Sequence, residues 1–546
     1  MILYDKIFIG VLLGGALLLA LVAEVARKYI NNEWRALYCI PPIIGLFFLT
    51  IEGFEPLMLG AYIGMVLLLA GLIKDDYKVR RFACLGALLL GLVTIPICLL
   101  GKSYRTDDYV KDFKEGVAFM KDHYVLTKHK GVDFDALYEE YLPLFQEADK
   151  NHDKVANTIA WALFCAEFQD GHTGFQPKDD ATWDEVLQRT AGNDYGLSLM
   201  TLADGRVAAV NVEDNDFFKN AGITNGTIIT SWDGREISEV AKESVLFQMT
   251  PYADKDNEAF EQALYAAGVG GESVVITYLD DTGMEKKLEL PKLGEYFDRV
   301  EKTREIICQG VETGHMMWAE VSEEAVAFRI KMMMFDSESA KTEDFTAMKQ
   351  EIREKAEEYQ AAGKTHLILD LRDNGGGSGQ MVKAIASLFA LPGEYYYCTD
   401  GLWDDKIGGY AKDEAGNYIP GKDHYFQGES IWNGPITLLV NQNSASASDH
   451  LTKVMQGMDN VTVMGFTEPN GSGQGVNGIE LESGGLSFSS SLMMDRDGGI
   501  YVDSGTDRES GNEIDVVIPF DEEAVRVLFD EGGDYVLQKC LEYYGK

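Results

Sequence analysis

Three short segments, far apart in the chain, carry the residue types that a serine hydrolase needs. Asp170–Thr173 reads DGHT, Leu369–Gly377 reads LDLRDNGGG, and Asn443–Asp449 reads NSASASD. A serine hydrolase requires a nucleophilic hydroxyl on a sharp turn, a base that accepts its proton, and backbone N–H donors that stabilise the oxyanion. The third segment supplies hydroxyls, the first an imidazole and the second a glycine-rich turn, so together they predict one acyl-transfer site.

The two later segments stand where strands are expected to end. From about residue 301 onward, the buried runs HLILDLR and ITLLVNQ each precede a helical pattern, at Gln380–Phe389 and Ser446–Met458. Such alternation predicts an α/β sheet with crossover helices, whose active-site residues gather at the carboxyl ends of the strands. Because LDLRDNGGG and NSASASD both fall at such ends, we predict that residues 295–546 form an α/β catalytic core.

The DGHT segment lies in a different region, which is helical. Between Asp107 and Phe168 the apolar residues recur at helical spacing, and this predicts a small helical domain over residues 104–185. A run beginning at Asp149 imitates the start of a calcium-binding loop, but Lys154 and Ala160 stand where that loop needs glycine and glutamate. We interpret the run as a polar turn and expect no metal site.

Residues 186–294 change to short β-rich runs, VAAVNV, TIITSW and SVVITYL, separated by Gly and Asp turns. The segment Ala221–Ile237 resembles the central strand and turn of a PDZ domain, in which backbone N–H groups capture a peptide C-terminus beside an edge strand. The corresponding carboxylate-binding loop would consist of Tyr195, Gly196, Leu197 and Ser198. The alternative is a small β-barrel that serves only as a spacer.

The first hundred residues contain four nearly continuous apolar runs, each close to the length that crosses a hydrocarbon core. The runs are Ile7–Leu21, Leu37–Ile51, Leu57–Ile73 and Phe82–Leu100. They predict a membrane anchor of four transmembrane helices over residues 1–103, the alternative for the first run being a cleaved signal peptide. Basic residues concentrate in the first and third loops, so we expect a multi-pass cell-membrane protein whose catalytic domain is extracytoplasmic.

Charge and cysteine usage exclude other classes. The formal net charge of −40 belongs almost wholly to the chain beyond residue 100, and such a surface repels nucleic acid. Four cysteines outside the apolar runs are widely scattered, with neither metal-site nor dense-disulfide spacing. They are Cys165, Cys308, Cys398 and Cys540. We expect buried thiols, although spacing leaves one disulfide open, and the glycine turn lacks the GK[ST] of a nucleotide-binding loop.

Together the three segments, in this order and with the PDZ-like insertion between them, resemble the tail-specific or C-terminal processing protease family, including its tricorn-like branch. The resemblance runs from about Asp107 to the C-terminus. It implies that the nucleophile is the middle serine of the SASAS run, Ser446, on a turn that leads into a helix. It also implies that the oxyanion donors are the N–H groups of Ala447 and of the glycine turn, with Gly376 preferred. Ser444 and Ser448 would then be structural.

The base is where the sequence departs from the family pattern. Many members use a lysine about 25 residues after the nucleophile, in a GKG context, but this chain reads Asn470-Gly471-Ser472-Gly473 there. Lys453 lies two helical turns beyond the serine, about 10 Å along the helix axis, which disfavours a Ser–Lys dyad. The tricorn-like branch uses a histidine instead, and His172 matches it, with a pKa suited to proton transfer near neutrality. Gly171 stands where that branch has a serine.

Several alternatives stay open at the base. The acidic partner of His172 would be Glu509, which lies in a segment that resembles the family's acidic motif, although Asp170 and Asp515 are also possible. His172 could be a turn residue that only bonds local backbone. His450, four residues after the nucleophile and on the same helix face, is a rival base.

The sequence therefore predicts a membrane-anchored serine endopeptidase that acts on polypeptides outside the cytoplasm, without metal or cofactor. A PDZ-like domain would hold the C-terminal tail of the substrate. The alternative is a catalytically inactive homologue that acts as a peptide-binding adaptor, which the absent lysine favours. A channel formed by the apolar runs is disfavoured, because they lack buried charges.

Overall fold

The computed structural model of the chain describes residues 108–244, 251–308, 316–334 and 341–545. A helical lead-in comes first, and its three helices begin at aspartates whose carboxylates accept N–H groups of the first turn. The helices are α1 (Tyr109–His123), α2 (Phe134–Asn151) and α3 (Lys154–Ala166). They pack around aromatic rings, with the centroids of Phe113 and Phe145 3.9 Å apart and Trp161 edge-on to both.

The chain leaves α3 through the DGHT segment into a strand, β1 (Gly174–Pro177), and a helix, α4 (Asp180–Ala191). β1 does not pair with its sequence neighbours. It pairs antiparallel with a strand more than 300 residues later, with Gly174 opposite Ser487. This pairing connects the lead-in to the C-terminal region, and DGHT immediately precedes β1.

The next region is an antiparallel sheet with strand order β3-β4-β5-β7-β8, in which β6 also pairs with β5 and short helices cover the sheet. Its elements are β2 (Asn193–Asp194), β3 (Ser198–Thr201), β4 (Val207–Val210), α5 (Asp216–Ala221), β5 (Ile228–Trp232), β6 (Arg235–Glu236), α6 (Ile237–Glu243), α7 (Lys255–Ala266), β7 (Ser273–Leu279), β8 (Glu285–Pro291) and β9 (Gly294–Glu295). β2 and β9 pair with each other where the chain enters and leaves this region.

The C-terminal half contains a six-stranded sheet of order β10-β11-β12-β17-β18-β22, antiparallel at β10 and parallel from β11 onward. Its first elements are α8 (Phe297–Cys308), β10 (Met316–Glu320), β11 (Ala325–Ile330), α9 (Thr342–Ala361), β12 (His366–Asp370) and α10 (Gly379–Phe389). The predicted buried strands become β12 and β17, whose residues pair up to Asp370 and Leu439. The α/β core that the sequence predicts is consistent with this sheet.

Smaller sheets and the chain end complete this half. The elements are β13 (Gly393–Gly401), β14 (Trp403–Asp404), β15 (Gly409–Tyr410), β16 (Pro420–Gly428), β17 (Ile436–Leu439), α11 (Ala447–Met455), β18 (Val461–Gly465), β19 (Gly475–Glu480), β20 (Gly484–Ser491), β21 (Met493–Met494), β22 (Val516–Val517), α12 (Glu522–Val525), a π-helical turn (Arg526–Asp530) and α13 (Tyr535–Tyr543). The strand orders are β16-β13-β21 and β1-β20-β19, with β14 and β15 as a separate pair.

The predicted fold class needs one correction, which concerns the membrane. Within the described ranges, no helix combines the length and the apolar character that crossing a bilayer requires. The longest, α9, has 20 residues, but charged residues recur along it, as its sequence TEDFTAMKQEIREKAEEYQA shows. On this finding, the prediction of four transmembrane helices and of a multi-pass cell-membrane location is wrong. The four predicted spans themselves, over residues 1–103, lie outside the described residues.

Candidate active site

Ser446 stands on a strained turn that leads into a helix. The turn, Asn443–Ser446, follows β17, and Ser446 has φ 58° and ψ −111°, immediately before α11 begins at Ala447. A non-glycine residue with positive φ costs free energy, and hydrolase nucleophiles are held on such turns. Among the described residues no hydrogen bond engages Ser446 Oγ, and the side chain is half-buried. The hydroxyl is therefore available for chemistry, as the sequence predicts for a nucleophile.

The two flanking serines are committed to structure. Ser444 Oγ donates to the Leu371 carbonyl at 2.8 Å and accepts from the N–H of Asn441 at 3.0 Å. Ser448 Oγ donates to the carbonyl of Asn374 at 2.8 Å. Both hydroxyls are buried, whereas the hydroxyl of Ser446 has no hydrogen bond to any part of the chain that the structure describes.

The buried carboxylate of Asp449 stabilises the nucleophile turn through backbone hydrogen bonds. Its carboxylate accepts the N–H of Ser446 at 2.8 Å, the N–H of Gly471 at 3.0 Å and the amide of Asn512 at 3.1 Å. Burial nevertheless raises the pKa of Asp449 to about 8. The sequence analysis missed this residue, although a serine followed three positions later by an acid is the usual signature of a helix start.

The glycine turn, Gly375–Gly377, lies directly against the nucleophile. A Cβ on Gly376, whose φ is 101°, would stand 2.6 Å from Ser446 Cβ and 2.8 Å from the Ala447 nitrogen, so only glycine fits. The N–H of Gly376, the predicted oxyanion donor, points instead to Asn374 Oδ1 at 2.9 Å. In the described parts of the chain, the N–H groups of Gly377 and Ala447 have no acceptor.

His172 is carried by a turn, Asp170–Thr173, that the Asp170 carboxylate organises. That carboxylate accepts the backbone N–H of His172 at 3.0 Å and the Thr173 hydroxyl at 3.0 Å. The Gly171 N–H donates to Ser472 Oγ at 2.9 Å, a contact across 301 residues of sequence. The histidine turn therefore contacts the loop Asn470–Gly473, which we call the linking loop.

That linking loop connects the histidine turn to the nucleophile turn. The N–H of Asn470 donates to the carbonyl of Ser444 at 3.0 Å, and Ser472 Oγ donates to Asn470 Oδ1 at 2.8 Å. A Cβ on Gly171 would lie 2.1 Å from Asn470 Oδ1 and 2.7 Å from Ser472 Oγ. A serine at 171 would therefore require these two buried side chains to move.

The environment of His172 favours a neutral imidazole. Burial lowers the pKa of His172, and the nearby Asp170 carboxylate partly opposes this by raising it. Nδ1 is shielded from solvent and has no hydrogen-bond partner among the described residues. Nor does any hydrogen bond there join the imidazole to Ser446 Oγ. A neutral imidazole is the form that can accept a proton.

His450, the rival base, has both ring nitrogens engaged. Nε2 donates to the Gly473 carbonyl at 2.7 Å, because a carbonyl oxygen can only accept, and Nδ1 therefore accepts from the Tyr397 hydroxyl at 2.7 Å. Burial lowers the pKa of His450 to about 4, and the nearby His172 contributes to this. His450 therefore serves as a structural residue on the buried face of α11, near His172.

The other charged residues that the sequence considers for the acidic partner or the base bond groups other than His172 and Ser446. Glu509 forms an ion pair with Lys255 at 2.9 Å, and its side chain is 67% exposed. Asp515 accepts the N–H of Val463 at 2.8 Å, and Lys453 Nζ donates to the Gly511 carbonyl. Of the three predicted acidic partners, only Asp170 influences the pKa of His172.

A buried charged cluster behind the histidine turn was also missed, since no local pattern marks its members. Lys130 Nζ donates to the carbonyl of Gln169 at 2.7 Å and to Ser504 Oγ at 2.8 Å. Asp503 accepts the N–H of Gly473 at 2.9 Å, and its pKa is raised by burial and by the charge of Asp170. The contact between the histidine turn and the linking loop, made by Gly171 and Ser472, is called the joint below. The cluster holds both sides of it, through Gln169 beside the histidine turn and Gly473 in the linking loop.

An open groove of about 520 Å³ contains Ser446 and Ala447. Its walls are the glycine turn and the start of α10, the middle of β13 and β16, and the first residues of β19. On the β13–β16 wall, His424 Nε2 lies 2.6 Å from Asp400 Oδ2. The nucleophile therefore lies in an open groove whose surface is mixed polar and apolar.

The predicted carboxylate-binding loop is largely buried and makes hydrogen bonds to neighbouring residues. Tyr195, Leu197 and Ser198 are buried, and Tyr195 donates its hydroxyl to the Gly271 carbonyl at 2.7 Å. The N–H of Gly196 donates to Asp194 Oδ1 at 2.8 Å. The Ser198 hydroxyl bonds that of Thr303 in α8 at 2.8 Å, and the structure does not bring the loop to Ser446.

Comparison with known proteins identifies two segments. Residues 330–507 match the model described as Peptidase family S41, and residues 106–155 match that of the Tricorn protease C1 domain. No curated protein matches the chain in sequence.

Two solved structures of CPAF share the fold at low sequence identity. Mature CPAF complexed with lactacystin is 13% identical, over 81% of this chain and 99% of that chain, with a TM-score of 0.50. A mutant of CPAF is also 13% identical, over 79% and 97% of the two chains, with a TM-score of 0.51. The photosystem II D1 C-terminal processing protease is 17% identical over 78% and 99%, with a TM-score of 0.32.

Proposed function

We propose that the chain is a serine endopeptidase with Ser446 as nucleophile and His172 as base, and the match of residues 330–507 to the model described as Peptidase family S41 supports this. The observation that supports this most is the shared linking loop. Asn470 bonds the nucleophile turn, and Ser472 bonds the histidine turn. A chain that had lost catalysis and kept only binding would not need this joint.

In the proposed reaction Ser446 Oγ attacks the carbonyl carbon of a peptide bond while His172 accepts the hydroxyl proton. The tetrahedral intermediate collapses as His172 returns that proton to the leaving amine, which leaves an acyl ester on Ser446. Water then attacks the ester with His172 again as base, releasing the acid and the free serine. Because apo geometry is often loose, the missing Ser446–His172 hydrogen bond would form when substrate fills the groove.

The oxyanion would be stabilised by the N–H groups of Ala447 and of the glycine turn. Both belong to backbone packed against the nucleophile, and the Ala447 N–H stands at the N-terminus of α11. Within the glycine turn we favour Gly377 over the predicted Gly376, because the Gly376 N–H already donates to Asn374.

Asp170 is the acidic residue that we assign to the base. Its carboxylate holds the turn and raises the pKa of His172, so it would stabilise the imidazolium that forms during attack. We do not extend the proposal to C-terminal capture by Tyr195–Ser198, because that loop is buried or bonded within its domain.

Labelling with a fluorophosphonate probe tests this function directly. The unaltered chain should be labelled on Ser446 and should degrade unfolded casein, whereas Ser446→Ala should do neither, with a loss of roughly 10³-fold or more. The matched control is Ser448→Ala, which removes a structural hydroxyl and should keep the labelling. Equal labelling of the unaltered chain and Ser446→Ala would overturn the assignment.

A further inference from the structure

One edge of the small β1-β20-β19 sheet leads away from the nucleophile. β19, Gly475–Glu480, is the last strand of this sheet, and in the described residues no strand pairs with its outer side. Its first two residues, Gly475 and Val476, line the groove that contains Ser446. An unpaired strand edge offers N–H and C=O groups to any extended chain placed beside it.

The backbone groups that face outward can be identified. The Gly478 N–H donates to the side chain of its own neighbour, Asn477 Oδ1, at 2.9 Å, and therefore not to β20. In an antiparallel pair, residues alternate between bonding the partner strand and facing away from it. Val476, two residues earlier and on the same side of the bulge, therefore also directs its N–H and C=O outward.

Two other edge strands, β16 and β8, carry features that discourage pairing, and β19 lacks them. β16 reads PGKDHYFQG and β8 reads EKKLELP, and both place charges or proline along the edge, which discourages an added strand. β19 reads GVNGIE and carries no charge before Glu480, and Val476 is 49% exposed. An open edge that begins in a catalytic groove is consistent with recruitment of a chain to be cut.

From this geometry, and resting on the proposed function, we infer that the outer edge of β19 binds the main chain of an extended, unfolded polypeptide substrate as an added strand. Recognition is by backbone hydrogen bonds and so is largely independent of sequence. Gln474 fixes the start of the edge, since its side chain donates to the Tyr501 carbonyl and to Asp503 Oδ2, each at 2.9 Å. The substrate would thus be held by a rigid strand beside the nucleophile.

Binding of N-methylated peptides to the Ser446→Ala chain tests this inference. Labelled peptides of about eight residues, taken from casein, are methylated at one amide at a time, and their affinity is measured by fluorescence anisotropy. Loss of one backbone hydrogen bond should weaken binding roughly 2- to 10-fold, and only at alternate amides. A loss without alternation, or no binding of any peptide, would overturn the docking site.

A protein variant gives the reciprocal evidence. Val476→Pro removes the outward N–H at the first edge position that we assign, so it should lower the affinity for the unmethylated peptide. For the peptide methylated at the amide that pairs with Val476, the same variant should lower the affinity little further. Val476→Thr, which keeps the N–H, should lose less affinity for the unmethylated peptide than Val476→Pro does. Equal binding by the proline variant and the parent would contradict the inference, and if the proline variant does not fold, the methylation series decides.

This test is independent of the chemistry, because Ser446→Ala cannot cleave. If the unaltered chain is not labelled by fluorophosphonate, the proposed function fails even where the alternation appears. If labelling occurs and alternation is absent, the docking site alone fails.

Discussion

The nucleophile side and the base side of the site are built in different ways. Ser446 follows a buried parallel strand, and its turn is held by Asp449, by the glycine turn and by the start of α11. His172 stands on a four-residue turn outside that sheet, at the end of the helical lead-in. Its turn reaches the nucleophile side through the linking loop, where Gly171 bonds Ser472.

The two sides of the site therefore differ in the kind of change that would disrupt them. The nucleophile turn is fixed by the ends of neighbouring strands, whose pairing buries a core. The position of the histidine turn depends on a small number of polar contacts and on the close approach of one glycine. Changes at the joint should therefore reduce catalysis while leaving the α/β sheet intact.

The largest effect of this kind is expected for Gly171→Ala. The new methyl would overlap Asn470 Oδ1 and push the histidine turn away from the linking loop. Because a displacement of about 1 Å can cost 10²-fold in rate, we expect kcat on a peptide to fall roughly 100-fold. The control is Gly271→Ala, where nothing lies within 4 Å of the added Cβ. Full activity of Gly171→Ala would contradict the role of the joint.

A smaller and more specific effect is expected for Asp170→Asn. Burial lowers the pKa of His172 while the Asp170 carboxylate raises it, so removing that negative charge should lower the pKa further. A base must be neutral to act, and the acidic limb of the kcat/KM profile should therefore move to lower pH in the variant. A limb that stays in place or moves upward would show that Asp170 does not act on His172.

The smallest effect is expected for Glu509→Gln. Glu509 is largely exposed and paired with Lys255, and such surface pairs contribute little to stability. Peptide cleavage should change less than about 2-fold, since no hydrogen bond or ion pair among the described residues joins Glu509 or Lys255 to the imidazole. A loss of cleavage as large as that expected for a catalytic residue would instead support Glu509 as the acidic partner of His172, as the sequence resemblance implies.

The sequence predicts one half of the site better than the other, for a physical reason. HLILDLR and ITLLVNQ are local patterns, and the rule that parallel strands gather their carboxyl ends places the glycine turn beside Ser446. The helix predicted at Ser446–Met458 is observed at Ala447–Met455. These features depend on residues that are close in sequence or on a general property of α/β sheets.

The joint could not be predicted, because it depends on contacts between distant polar residues. Gly171 appears in the sequence only as a departure from the tricorn-like pattern, and its cause is the packing of Asn470 and Ser472. In the same way, no pattern shows that Glu509 bonds Lys255 or that Lys130 bonds Gln169. Side-chain direction at such positions is determined by the tertiary fold.

The pH dependence of Ser446 labelling by a fluorophosphonate, in the unaltered chain and in His172→Ala, tests most directly whether the base and the nucleophile act together. The unaltered chain should show one ionisation below the ordinary histidine pKa, because burial lowers that of His172. His172→Ala should lose this ionisation and react roughly 10²- to 10⁴-fold more slowly, whereas His123→Ala, at an exposed position, should retain it. The same profile and rate in His172→Ala would contradict the assignment of His172 as the base.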